Sequence, residues 1–399
     1  MTASRQNISA QAQLSYFKWV LSLFYIFLLA PALATKVSVR GGGYGGNWGK
    51  QGLLIYDGLP FHMPFLEMER DDETQTCFLQ NDYVKVYDYQ NEFLEPKSVS
   101  HFSCNLTDSA HNYVYWNDVL REQCGAFSQA NDALFGGSVI SHMFHEWYGM
   151  SPLRYKNGVA AQILLYVNIP LGVEAKFQNF KAYFSNTRLA SHGPCSDEFY
   201  PQATFRVIAH EVGHGISADC FSMDTVEGKG LEEAFCDITS IAVDYYHLRS
   251  TSWALGEDVT VDQLPVRKMN EAVAYDPRMF SSDSHVTAKV FNYFFYFLAT
   301  HSGWNIRKAY DVMLYASIKF WSEETHFAGA ACGAWFAASC LNYDAETVAE
   351  VAHAIGFSLS NCTKVSACSQ TLFKKPLNPS HEPVVKLGER ESFLRYARG

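Results

Sequence analysis

RVIAHEVGHGISADCFSMDTVEGKGLEEAFCD, residues 206–237, is the stretch on which the reading of this chain turns. It contains His210-Glu211-Val212-Gly213-His214, followed nineteen residues after His214 by Glu233 and then by Asp237. Histidines at i and i+4 lie one turn apart on the same helix face, so both imidazoles can bind one metal ion. Glu211, between them, stands beside the ion's open position, where a carboxylate can take a proton from water. Glu233, from a second helix, would complete the His2Glu donor set of a catalytic zinc site. Asp237, one turn further on, is placed to orient a histidine N–H from behind.

The flanks agree with a packed helix. Val207-Ile208-Ala209 gives it an apolar start, and Gly213 and Gly215 bracket His214 where close packing needs small residues. Further on, Asp283-Ser284-His285 opens an apolar helix. His285 is a candidate donor to an oxyanion, with the Asp283 carboxylate placed to hold its ring. In such a site Glu211 would pass its proton on to the leaving amine.

The chain of 399 residues is long enough for one large domain or two packed lobes, and it is 48% hydrophobic, ample for a core. Its net charge is −10 and no basic cluster interrupts it, which argues against nucleic acid as a partner. Arg5 and Lys18 precede the apolar run at 19–34, which ends in Ala32-Leu33-Ala34, a small-x-small cleavage site. Residues 1–34 therefore read as a signal peptide, with export to the cell exterior or a periplasm and no stable membrane insertion after cleavage. An uncleaved anchor is the alternative. Ten cysteines in an exported chain, none in a CxxC pair, point to disulfides rather than to thiol chemistry.

Short alternating runs with turn signals fill residues 52–115, a β-rich region that Cys77 and Cys104 would staple. The glycine-rich segment 41–49 reads as a loop or bulged strand. A helical period runs over 131–149, where His142 and His145 read as surface residues, and strands return at 161–200, the best of them at 161–167. Helices are expected at 231–248, 285–300, 305–320, 328–341 and 344–355. The resulting division is a β-rich part at 35–205, a helical part at 206–368 and an extended tail at 369–399.

Taken in order, these blocks resemble the thermolysin family of zinc metallopeptidases, nearest its pseudolysin and vibriolysin branch. The blocks are the glycine-rich opening at 41–50, NDALFGGSVISHMFHEWYGMSPL at 131–153, Phe199-Tyr200-Pro201, HEVGH, LEEAFCD at 231–237, SGWNIRKA at 302–309 and GAACG at 329–333. The resemblance implies an α+β fold of two lobes, β-rich and then α-helical, with the zinc site in the cleft between. It implies His210, His214 and Glu233 as Zn2+ ligands, Glu211 as base, His285 as transition-state donor, and Asp237 and Asp283 behind them. Arg267 would hold a substrate carbonyl. Phe199, Gln202, Val207, Leu255 and Val266 would line the pocket for the residue after the cut, an apolar one by family habit. Gln202 stands where an aliphatic residue is usual, so that preference is expected to be altered. Glu174 and Ala175 occupy the place of the family's substrate-binding Asn-Ala pair on the edge strand. The family's disulfides map onto Cys77–Cys104 and Cys332–Cys362; Cys236, against the zinc helices, reads as a buried thiol. Cys124, Cys195, Cys220, Cys340 and Cys368 have no family guide.

There are departures. Arg206 replaces a calcium-binding acid, and the positions that would complete that site read Ile241, Asp244 and Ser252, so no calcium is expected there and an Arg206–Asp244 pair could substitute for it. The family's second oxyanion donor, a tyrosine, has no counterpart in 217–229. Little sequence separates the signal from the mature-like opening, so no large pro-region is expected. The chain is expected to be a monomeric secreted endopeptidase acting on peptides or proteins. The Glu174 change and the absence of an expected pro-region keep open a second reading, a zinc-binding protein of the same fold that holds peptides or a partner with little or no cleavage.

Overall fold

The computed structural model describes residues 35–40, 65–90, 94–104, 129–155, 157–170, 175–186, 199, 201–218, 220–221, 223–260, 262, 264–360, 362 and 368. The signal-like run, the glycine-rich segment, Glu174 and the tail lie outside them. In chain order the strands are β1 (Thr35–Arg40), β2 (Phe65–Asp71), β3 (Thr76–Phe78), β4 (Val84–Asp88) and β5 (His101–Ser103). Helix α1 (Gln129–Tyr148) follows, then β6 (Ile163–Ile169), β7 (Ala175–Gln178) and β8 (Lys181–Ser185). The second half holds α2 (Phe205–Ile216), α3 (Val226–Leu248), the short β9 (Ala254–Leu255) and β10 (Arg267–Lys268), then α4 (Ser284–Thr300), α5 (Ile306–Lys319), α6 (Phe327–Cys340) and α7 (Ala345–Ile355). The expected succession of a sheet-rich lobe and a helical lobe is present.

The first sheet is antiparallel in the order β1-β2-β3-β5, and the Cys77–Cys104 disulfide ties β3 to the end of β5. The second has the order β4-β6-β8-β7, parallel except for its last pair. Strand β4 alternates buried and half-buried residues, whereas β6 is almost wholly covered, as befits a central strand under a helix. Among the described residues strand β7 pairs with β8 alone, so it is an edge there, and it lies beside α2.

Helix α3 is the axis of the helical lobe, with α2 and α4 packed along it. It starts five residues before its expected start at 231, because Thr225 caps it by accepting the Gly228 N–H at 3.0 Å. The glycines in that first turn look like loop residues, yet Gly230 is where α4 comes closest: a Cβ there would stand 2.6 Å from the Thr287 methyl. Behind α4, Phe291, Phe327 and Phe357 form a buried aromatic cluster in which Phe291 and Phe327 stack at 5.9 Å. Cys332–Cys362 closes this end as expected, and Cys340–Cys368 adds a bridge from α6. The buried Cys236 is a free thiol, as expected, while Cys124 and Cys195 lie outside the described residues.

Helices α2 and α3 approach so closely at Gly213 that a Cβ would lie 2.9 Å from the Cys236 Cα, a backbone atom that cannot rotate away. Gly213→Ala is therefore expected to lower stability by about 1–3 kcal/mol through overpacking. Gly329 in α6 is the control: its nearest neighbour would be the Thr325 methyl at 3.9 Å. Gly329→Ala should raise stability by about 0.5–1 kcal/mol through helix propensity. Thermal melts of the two variants decide it; equal shifts would mean that the α2–α3 contact is not tight.

Candidate active site

Helix α2 puts His210 and His214 on one face, with ring centroids 5.3 Å apart. Each ring is held from behind by a carboxylate on α3. His210 Nδ1 lies 2.9 Å from Asp237 Oδ1. A carboxylate only accepts, so Nδ1 carries the proton and Nε2 is turned toward the cleft. Asp237 is fully buried and also accepts from Arg267 Nε at 3.0 Å, Arg267 Nη2 at 2.6 Å and Asn292 Nδ2 at 2.8 Å. Behind His214 stands Glu232, whose Oε1 is 3.3 Å from Nδ1. Burial alone would lower the pKa of both histidines. For His210 the neighbouring carboxylates of Asp237 and Glu233 outweigh it and push the pKa up to about 10; for His214 the carboxylate of Glu232 raises it.

Glu233 projects into the space between these rings. Its Oε2 is 3.2 Å from His210 Nε2 and 3.0 Å from His285 Nδ1. Neither approach is aligned as a hydrogen bond, so Glu233 Oε2 and His285 Nδ1 are buried atoms without a partner, as is Glu211 Oε2. Burial works against ionisation of Glu233, but the nearby His210 and His285 overcome it and hold the carboxyl far below its ordinary range. Glu211 is pushed the other way, upward, chiefly by burial.

Unpartnered buried carboxylate oxygens are costly, and a divalent cation is the group that satisfies several at once. The donors here, two carboxylate-backed imidazoles and an ionised carboxylate, are those zinc takes at a catalytic site. Cys236 Sγ and the His210 and His214 ring nitrogens also lie within 4.8 Å of one another. Cys236, however, is wholly buried against Gly213, and burial raises its thiol well above the ordinary value, whereas Glu233 lines the cleft. Glu233 is the better third donor.

The cleft in front of these groups has a volume of 480 Å³. Phe199, Gln202, Val207, Leu255, Val266, Ala175 and Arg267, all read from the sequence as substrate residues, line it. Arg206, Phe177 and Val259 in its wall, and Glu232 and Asn292 behind the two histidines, are not among the site residues read from the sequence. Glu232 had a visible signal, the doubled acid of LEEAFCD; Asn292 sits in an aromatic helix and gave none. Asp283 plays a different part from the one expected. It is the N-cap of α4 and accepts the backbone N–H of His285 at 3.0 Å, so it fixes the start of the helix, while the His285 ring turns toward Glu233.

The sequence matches two family models: the thermolysin metallopeptidase catalytic domain over residues 63–218 and the thermolysin metallopeptidase alpha-helical domain over 225–356. The chain belongs to the thermolysin family of metallopeptidases. It is 31% identical to the zinc metalloproteinase MspA of Legionella longbeachae over 82% of this chain and 61% of that one. It is 29% identical to the hemagglutinin/proteinase of Vibrio cholerae over 84% of this chain and 52% of the relative. It thus spans about three fifths or less of the length of these relatives. Among solved structures, the precursor of protealysin, a metalloproteinase from Serratia proteamaculans, superposes with a TM-score of 0.54 at 15% identity, covering 69% of this chain and 87% of that one. That likeness shows the fold.

The ionisation of Asp237 is testable in metal-free protein. Burial opposes its charge, but Arg267 and His210 outweigh burial and hold the pKa well below the ordinary 3.8. A depressed pKa adds stability above the unfolded value, and that stability is lost as pH falls through it toward the folded one. The gap in melting temperature between wild type and Asp237→Asn should therefore be widest near neutrality and shrink from about pH 5 down to about pH 2. A gap that ignores pH would mean that Asp237 folds uncharged.

Proposed function

We propose that this chain is a zinc endopeptidase, with His210, His214 and Glu233 holding the ion and Glu211 acting as general base. The observation that carries this reading is the convergence of two carboxylate-backed histidines, an ionised Glu233 and a buried, unpartnered Glu211 oxygen at the floor of one substrate-sized cleft. The ion would supply Lewis acidity to water and to the scissile carbonyl. Glu211 takes the proton released from water and hands it to the leaving amine; its upward-shifted pKa suits a group that must both accept and donate near neutral pH. His285, at the cleft edge, donates to the developing oxyanion. Arg267 presents its guanidinium to the carbonyl beyond the scissile bond while its other face stays tied to Asp237. An extended substrate segment adds to the free edge of β7, beginning at Ala175. The pocket for the residue after the cut is apolar on the side of Val207, Leu255 and Val266 and polar at Gln202. The signal-like run at 1–34 supports export, and among the described residues no helix is long and apolar enough to cross a membrane.

Cleavage of a peptide library by zinc-loaded wild type and by Glu211→Gln tests the assignment. The variant should keep its zinc and lose at least about a hundredfold in kcat. No cleavage by zinc-loaded wild type, or equal cleavage by both, would sink the peptidase reading and leave a binding protein. Glu232 gives a separate check. Glu232→Ala should weaken zinc affinity by about 10–100-fold, as measured by competition with a chelator. An unchanged affinity would show that His214 does not depend on its carboxylate.

A further inference from the structure

Arg206 is the second residue of α2, one turn before His210, and its side chain is largely buried, at 13% exposure. Its guanidinium joins three separate pieces of chain. Nη2 donates to Asp244 Oδ2 at 3.2 Å, near the end of α3. Nη1 donates to Glu257 Oε1, and more weakly to the backbone oxygen of Ala254 at 3.4 Å in β9. Ser252 Oγ donates to the same Glu257 oxygen at 2.7 Å, and Ser240 Oγ from α3 donates to the Arg206 backbone oxygen at 2.9 Å. The Asp258 carboxylate adds to the negative field that Asp244 and Glu257 exert on the guanidinium. The sequence reading counted Asp244 alone among them; Glu257 and Asp258 lie in a turn that only folding brings to Arg206.

The contacts made by Arg206 bracket Leu255 and Gly256, two residues of the cleft wall. Leu255 in turn pairs with Arg267 across the β9–β10 ribbon, and Arg267 donates to the Asp237 that backs His210. The clamp, the pocket wall and the metal face are thus mechanically continuous.

We propose that Arg206 is a resident cation that takes the place of a structural metal ion and positions the wall of the pocket for the residue after the cut. The resemblance to the family implies calcium at this place, and the residues present do not fit it. Calcium takes six to eight oxygen ligands. Here Ile241 and Ser252 stand at two of the positions concerned, and a positive group occupies the centre. A guanidinium offers five donors in a fixed fork and suits several oxygens at once. It is also part of the chain, so the clamp is always loaded. Arg206 is a positioning residue: it touches the wall, not the reacting atoms.

The melting temperature of the zinc-loaded full chain, with added calcium chloride or with EGTA at maintained zinc, reads the clamp without any turnover. Wild type should respond to neither. Arg206→Asp should melt lower and recover in part with calcium, because the substitution supplies a carboxylate to Asp244, Glu257 and Asp258 and removes the cation. Arg206→Lys, which keeps the charge but not the fork, should fall between wild type and Arg206→Asp. The kinetic arm rests on the peptidase reading: Arg206→Lys should raise KM roughly tenfold for substrates with a large residue after the cut, with a smaller change for alanine there and little change in kcat, as loss of positioning rather than of chemistry predicts. Stabilisation of wild type by calcium, an Arg206→Asp protein indifferent to calcium, or a KM unaffected by the size of that residue would each overturn the proposal. An inactive wild type that is nonetheless indifferent to calcium would refute the peptidase and leave the resident cation standing.

Discussion

The buried carboxylate of Asp237 is the constraint on which the rest of the site depends. An ionised group with no exposed surface is tolerable only when donors surround it. Oδ1 takes His210 Nδ1 from α2 and Arg267 Nη2 from β10, and Oδ2 takes Arg267 Nε and Asn292 Nδ2, the last from α4. Three elements that meet nowhere else in sequence are thereby fixed to the centre of α3. None of the four donors can be withdrawn cheaply, because each would leave part of a buried charge unmet. The orientation of His210 is thus a consequence of the core and not of the cleft.

Much of this was legible in the chain. The His-x3-His spacing fixes a shared face on any helix, and the acid one turn beyond Glu233 falls behind that face for the same reason of period. The helices were readable because their apolar residues repeat with a helical period and some of their ends carry caps such as Asn305 and Asp344. The cysteine pairs read through the family resemblance, Cys77–Cys104 and Cys332–Cys362, both form.

What escaped the sequence shares one physical cause: it depends on contacts between segments whose separation in sequence says nothing of their distance in space. Cys340–Cys368 is one such contact, and Arg206 with Glu257 is another. Asp283 shows a subtler failure. A carboxylate two residues before a histidine can serve either its ring or its backbone N–H, and at a helix start the backbone N–H is the donor with no other acceptor. Helix capping won, and the ring was left to face Glu233.

Charge explains why these parts are arranged as a binding site and not merely as a packed core. Glu211 and Glu233 line one end of the cleft, Glu232 and Asp237 stand behind the two histidines, and the Arg267 guanidinium is tied to Asp237. Four carboxylates against one fixed cation leave an excess that imidazoles can offset only by holding protons, which is the direction in which His210 and His214 are shifted. A divalent ion would displace those protons and meet the same negative charge with less rearrangement. The two histidines need not respond alike. His210 is backed by an acid whose charge is already shared with Arg267 and Asn292, so its ring is fixed. Glu232 is 16% exposed at its side chain and free of that network, so His214 is backed by a more adaptable acid. The histidine held by that network is therefore the one linked, through Asp237 and Arg267, to Leu255 in the pocket wall.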